Sequence, residues 1–199
     1  MIIQESNDFV HTLAFQIPKQ GKICCGDSFY INATEDYLIC ALADGLGSGE
    51  YANESSSAIC TLVEENHHED VEVLIDLCNK VLRNKRGATV SILKVDFKSK
   101  KFTYSSVGNI RFVFSLPSGS YIYPIPILGY LSGKPQKYRT QTYSYERGSK
   151  FIIHTDGLVL PAVKELLNQS HSVEELSQSL SKYTKVGNDD LTYIVGQLF

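Results

Sequence analysis

The chain has 199 residues, enough for one domain of ordinary size. A composition of 43% hydrophobic and 21% charged residues excludes a disordered tail, a collagen-like repeat and a coiled-coil rod. The net charge is −3, from 19 basic against 22 acidic residues with no long run of either sign, and supplies no basic stripe for a nucleic acid.

The N-terminal third reads as strands. Residues 9–17 roughly alternate apolar and polar and stop at Pro18; residues 28–31 and the continuous apolar run 37–43 follow. Two helices come next. From Glu54 the positions Ala58, Ile59, Leu62 and Val63 keep helical spacing, and Leu74, Leu77, Cys78, Val81 and Leu82 do the same, with Asp70 placed as N-cap. A meander over 88–95, 102–107, 110–116 and 121–123 is punctuated by Gly108-Asn109 and Ser118-Gly119. The Pro- and Gly-rich stretch 124–135 reads as a loop, and 138–145 and 150–155 return to strand. Ser172-Val-Glu-Glu175 is a capping box that opens a helix through Leu176, Leu180 and Tyr183, and 191–199 closes as a strand. This order predicts an α+β fold with antiparallel sheets.

No segment approaches the roughly 18 consecutive apolar residues that span a bilayer. Met1 to Phe9 carries Glu5 and Asp8 and no basic stretch of the kind that begins a secretory signal. Five cysteines, an odd number without a C-x-x-C pair, argue against a disulfide framework or a zinc site. Cys40, Cys60 and Cys78 fall in apolar patterns as small buried hydrophobes. A cytoplasmic protein with no membrane and no nucleic-acid partner is expected.

The informative residues are aspartates at strand ends. Asp44 ends an apolar run and precedes Gly45; Asp156 ends another and precedes Gly157. Asp27 lies just before the strand from Ser28, and Asp189-Asp190 just before the strand from Leu191. Carboxylates gathered at one rim repel unless a cation neutralises them, and hard oxygen ligands select Mg²⁺ or Mn²⁺. Two such ions about 3.5–4 Å apart activate a water and clamp a phosphoryl group. A single Asp-Gly is equally ordinary turn punctuation, and spacing alone does not show that the four tips converge.

At these residues the chain resembles the metal-dependent protein phosphatases (PPM, or protein phosphatase type 2C). The matching blocks run in family order: Gly26-Asp27-Ser28-Phe29, Ala43-Asp44-Gly45-Leu46-Gly47-Ser48-Gly49, Gly87-Ala88-Thr89, Val107-Gly108-Asn109-Ile110-Arg111, His154-Thr155-Asp156-Gly157 and Asp189-Asp190-Leu191-Thr192. Each block is weak, but the ordered set spans nearly the whole chain. The resemblance implies one PPM-type domain over 1–199, folded as a four-layer α/β-β/α sandwich of two packed antiparallel sheets flanked by helices. It implies a phosphoserine/phosphothreonine protein phosphatase using two divalent ions, Mn²⁺ or Mg²⁺. Asp44 would bridge the ions and the Gly45 carbonyl would ligate one. Asp156 and Asp189 would hold one metal, Asp27 would act through the other or its waters, and Asp190 would support them from behind. The compact length, with Ala43 to Gly49 and Leu131 to Lys137, is most similar to the small bacterial members that reset the stressosome. By that resemblance the partners are phosphorylated stressosome scaffold proteins of the RsbS and RsbR type, and the effect is to down-regulate the general stress sigma factor.

Three positions depart from larger members. Leu46 stands where they carry a histidine assigned as general acid. Lys22 stands where many place an arginine on the substrate phosphate, supplying charge without a bidentate fork. Asn109 replaces an aspartate that some use for a third metal, so a third ion is not expected.

Rival motifs fail on context. Gly45-Leu-Gly47-Ser-Gly49 is followed by two helices rather than a βαβ unit, so it is no dinucleotide fingerprint. Gly129 to Pro135 is one residue short of a P-loop and has Pro135 at the magnesium position. His154 reads as structural, and Cys24 and Cys25 as bystanders beside Asp27. A catalytically silent relative that only binds a phosphorylated partner would be expected to lack an acidic ligand, and all four are present.

Overall fold

The computed structural model describes residues 1–185 and 187–199. Along the chain run β1 (Ile2–Ser6), β2 (Val10–Ile17), β3 (Asp27–Ala33), β4 (Tyr37–Gly45), α1 (Glu50–Glu65), α2 (Val71–Val81), β5 (Ala88–Asp96), β6 (Lys101–Val107), β7 (Arg111–Ser115), β8 (Tyr121–Ile122), β9 (Thr140–Ser144), β10 (Lys150–His154), α3 (Val163–Gln169), α4 (Val173–Leu180) and β11 (Leu191–Leu198). They form two antiparallel sheets, of order β1-β2-β11-β10-β7-β8 and β3-β4-β5-β6-β9.

Period-two alternation explains the layering. On β4, Leu38, Cys40 and Leu42 face a core shared with Val10 and Ala14 of the other sheet, while Ile39, Ala41 and Ala43 face the helices α1 and α2. On β10, Phe151 and Ile153 point into the space between the sheets, and Ile152 packs outward with Leu167 of α3 and Leu176 of α4. The result is helices, sheet, sheet, helices, the four-layer sandwich implied by the family resemblance.

Several boundaries differ from the sequence reading. α1 begins at Glu50, four residues before Glu54, because its N-cap is Gly49 (φ 71°), which makes no side-chain cap for a sequence pattern to show. Asp70 sits at the N-cap of α2, but its side chain makes no capping bond. In the Ser172 box, Ser172 Oγ accepts from the Glu175 amide at 3.2 Å as expected, whereas Glu175 reaches past Ser172 to the His171 amide at 2.7 Å. Within the 124–135 loop, Ile127 bridges Val107 and Leu131 bridges Ala88, tying that loop to the ends of β5 and β6.

Candidate active site

The alternation that fills the core also fixes the site. Asp27, Asp44 and Thr89 are register partners across β3, β4 and β5. Directly opposed residues share a face with Cβ atoms about 4.5–5.5 Å apart. That face is the inner one, since Ile31, Leu42 and Leu93 at the same parity lie in the core between the sheets. Asp27 and Asp44 therefore belong to the ladder rather than to the turns beside it, and they stand at the open rim of the inter-sheet cleft.

The opposite sheet meets them there. Thr155, which continues the inward parity of β10, donates from Oγ1 to Asp27 Oδ2 at 2.9 Å. Gln16 of β2 donates from Nε2 to the Asp27 carbonyl at 3.0 Å and to Thr192 Oγ1 at 3.3 Å. Asp190 is buried, and its Oδ1 accepts from the Lys19 amide at 2.9 Å, which pins the loop 18–26 over the rim. Asp189 lies at the rim beside it, its Oδ1 accepting from the Asp190 amide at 3.0 Å.

Asp156 accepts a 2.7 Å hydrogen bond at Oδ2 from Asn109 Nδ2. This gives the asparagine a physical reason: an aspartate there would set a carboxylate against a carboxylate, and the amide supplies a donor instead.

The two Asp-Gly pairs differ: Asp44-Gly45 lies in the β4 ladder, whereas Asp156-Gly157 forms a turn closed by the Leu158 amide donating to the Thr155 carbonyl at 3.2 Å, yet in both another backbone segment crosses the glycine. Neither Gly45 nor Gly157 has a positive φ. A Cβ on Gly45 would lie 1.9 Å from the Ala52 carbonyl oxygen of α1, and one on Gly157 would lie 2.0 Å from the Asp190 carbonyl oxygen. Each glycine is required because another backbone segment passes through the space a side chain would occupy.

The electrostatics follow from burial and crowding. The Asp27 carboxyl is pushed up to about 8, first by burial and then by the Asp44 charge, with Thr192 and Thr155 opposing as donors. Asp44 is pushed up to about 7 by burial and by Asp156, Asp189 and Asp190, against the opposing charge of Lys19. Asp156 is also raised, by burial and then by Asp189. The four carboxylates thus feel one another across the rim. They are not drawn into a closed shell: among the described residues, no group of three His, Cys, Asp or Glu side chains is close enough to hold an ion as it stands.

Lys22 points along the loop after β4, its Nζ 3.8 Å from the position of a Gly49 Cβ, in a pocket shared with Ser48 and Tyr51. Leu46 packs against Gly87 and offers no titratable group. The Cys25 thiol, raised to about 12 by burial and the nearby Asp27, is no nucleophile. His154 is buried, its Nδ1 donating to the Thr155 carbonyl at 2.9 Å.

Sequence reasoning assigned no role to four groups: Thr155, Thr192, Lys19 and Thr89. The Thr89 hydroxyl is buried and has no hydrogen-bond partner, and it lies on the row with Asp44. Its Cβ and methyl pack against Gly108, where an added Cβ would come within 2.4 Å, so position 108 leaves no room for a side chain. The signal available for all but Lys19 was parity: polar residues at inward positions near strand ends.

Comparison with known proteins agrees with this architecture. Residues 34–197 match the family model described as stage II sporulation protein E (SpoIIE). The chain is 59% identical over 198 residues to phosphoserine phosphatase RsbX of Bacillus subtilis (strain 168), covering 100% of both. It superposes on a crystal structure of RsbX in complex with magnesium with a TM-score of 0.97, 58% identity and 100% coverage of each chain. A second structure, from work on the bacterial stressosome as a modular system adapted to secondary messenger signalling, matches with a TM-score of 0.85 and 26% identity over 94% of this chain and 99% of that one. The fold is that of a PP2C-type protein phosphatase. Within that class the chain belongs to the SpoIIE family, and it is a phosphoric monoester hydrolase.

Proposed function

We propose that this chain, acting as one domain over 1–199, is a metal-dependent phosphoserine/phosphothreonine phosphatase whose site is the rim between the sheets. The observation that carries the reading is the gathering of Asp27, Asp44, Asp156 and Asp189 at one rim where the two sheets meet, an arrangement of carboxylates that a divalent cation would neutralise. The donor set fits such a group. It is all oxygen, from four carboxylates and the Gly45 carbonyl, with no histidine or thiolate to favour zinc, and so suits Mg²⁺ or Mn²⁺. Asp44 would serve both ions and the Gly45 carbonyl would ligate one of them; Asp156 and Asp189 would hold one ion, and Asp27 would act through the other or through its waters. When bound, the ions supply a nucleophilic water at neutral pH and neutralise charge on the phosphoryl group.

The chain's own residues do the positioning. Thr155 orients the Asp27 carboxylate, Asn109 orients Asp156, and Asp190 holds the loop that carries Lys19 and Lys22. Lys22 supplies a positive charge toward a substrate phosphate. The side chain at 46 cannot protonate the departing serine oxygen, so that proton comes from solvent. Hydrolysis consumes one water and yields a free hydroxyl side chain and inorganic phosphate.

The substrates we assign are phosphorylated stressosome scaffold proteins of the RsbS and RsbR type, which would place the enzyme in the cytoplasm and make it a damper of the general stress sigma factor. The likeness to RsbX and to the stressosome-related structure supports this. No helix among the described residues is long and apolar enough to cross a membrane. The test is turnover of a small phosphoester after chelation. Activity should vanish in excess chelator and return with Mn²⁺ or Mg²⁺; full turnover in chelator would refute the mechanism.

A further inference from the structure

A cavity of about 310 Å³ lies on the outer face of the six-stranded sheet, beside the candidate active site. Its walls are apolar, from Tyr123, Pro126, Leu160 and Val163, with Arg111 and His154 on the strands that form its floor. Such a composition, a small apolar pocket with few polar groups, is that of a binding site rather than of a packing defect.

Its position ties it to the reaction. Arg111 and His154 are register partners on β7 and β10. Asp156 follows His154 by two residues, and Asn109, two residues before Arg111, donates to Asp156. At about 3.3 Å of rise per residue, the His154 backbone at the edge of the cavity lies no more than about 7 Å from that of Asp156. An extended segment with its phosphoserine at the carboxylates, passing over Asp156, would bring a residue two or three positions away toward the cavity.

The surroundings indicate what that residue is. Tyr123, Ile125 and Val159 stand exposed beside the cavity, at 47%, 57% and 76%, where surface polar residues would be usual. Two cations stand beside the cavity: Arg111, exposed and close enough to Asp156 to act on its charge, and Lys164, whose Nζ lies 5.7 Å from the Tyr123 ring centroid.

We infer that this cavity is a specificity subsite that receives a large apolar side chain, leucine- or phenylalanine-sized, two or three residues from the phosphoserine, with an acidic neighbour of that residue meeting Arg111 and Lys164. The inference rests on the phosphatase reading above and narrows its substrate class to segments with an apolar anchor beside the phosphorylated residue.

The test uses the full chain with Mn²⁺ and phosphoserine peptides carrying leucine or phenylalanine at each position two or three residues to either side, against alanine at the same positions. The readout is the ratio of kcat/KM for the apolar peptide to that for the alanine peptide, so that each variant is its own reference. At one position the ratio should be about tenfold or more. It should fall at least fivefold in Val163→Phe, which fills the cavity, and in Tyr123→Ala, which removes an exposed wall and serves if the first variant folds poorly. A ratio near one in the wild type, or a high ratio unchanged in both variants, overturns the subsite while leaving the phosphatase intact. Absence of metal-dependent hydrolysis of every peptide overturns the phosphatase reading and the subsite with it.

Discussion

The cleft between the sheets is filled in two ways by the same strand faces. In its interior, Ile31, Leu42 and Leu93 meet a stack of aromatics, with Phe102 on Phe114 at 4.3 Å and Tyr104 on Phe112 at 4.5 Å between ring centroids. At its rim, the same parity presents Asp27, Asp44 and Thr89. Interior and rim are only two to four residues apart on each strand. Stability is concentrated in the interior; the rim, the proposed seat of reactivity, is maintained against it because its carboxylates repel.

The largest effect that would break this contrast is in the interior. Phe102→Ala should cost about 3–5 kcal/mol of folding stability, read as a lower urea midpoint. Activity per folded molecule should hold; a loss of kcat in the folded fraction would show that the two regions are mechanically coupled.

Next in size is the rim. Asp44→Asn removes a carboxylate charge from the proposed metal site and should slow turnover roughly 10²–10³-fold. Its Tm in chelator should match or exceed that of the wild type, because the change relieves crowding. A drop comparable to that of Phe102→Ala would make Asp44 a structural residue and erase the distinction.

A smaller effect sharpens it. Asp27 and Asp44, near 8 and 7, hold protons more tightly in the folded chain than in the unfolded one. Their contribution to stability is full below the unfolded value of about 4 and is lost as pH rises through 7 to 8. In chelator, Tm should therefore fall between pH 5.5 and 8.5, and saturating Mg²⁺ should flatten or reverse the slope. A pH-independent Tm in chelator would mean the carboxylates are relieved by something other than a cation. The smallest effect concerns Lys22. Lys22→Ala should raise KM a few-fold with less change in kcat, and Lys22→Arg should lower KM, since guanidinium binds phosphate through paired hydrogen bonds. Equal KM values in steady-state kinetics would leave Lys22 a solvated loop residue.

Much of this was legible because alternation is a local signal. The strands over 37–43 and 150–155, the helix at 74–82 and the acidic tips could be read from period and punctuation alone. What escaped was decided by tertiary contact. β1, an exposed edge strand, is held by pairing Ile2–Ser6 with β2, and α3 opens at Ala162 with no capping side chain. The loop 18–26 gives no hint that Asp190 anchors it through Lys19. The roles of Thr155 and Thr192 depend on which faces of two separate sheets are brought together, which no single strand encodes.

The close passage of Ala52 over Gly45 also bears on the chemical lifetime of the site. An Asp-Gly pair in a loose turn is prone to age, the glycine amide nitrogen attacking the aspartyl carboxyl to form a succinimide and then isoaspartate. Here the Gly45 amide donates to the Gly26 carbonyl at 3.1 Å, and Asp44 and Gly45 lie extended in the ladder opposite Thr89 and Ala88. An extended, hydrogen-bonded amide cannot fold back onto its own side chain. The close fit that forbids a side chain at 45 thus also protects the neighbouring carboxylate from slow self-modification.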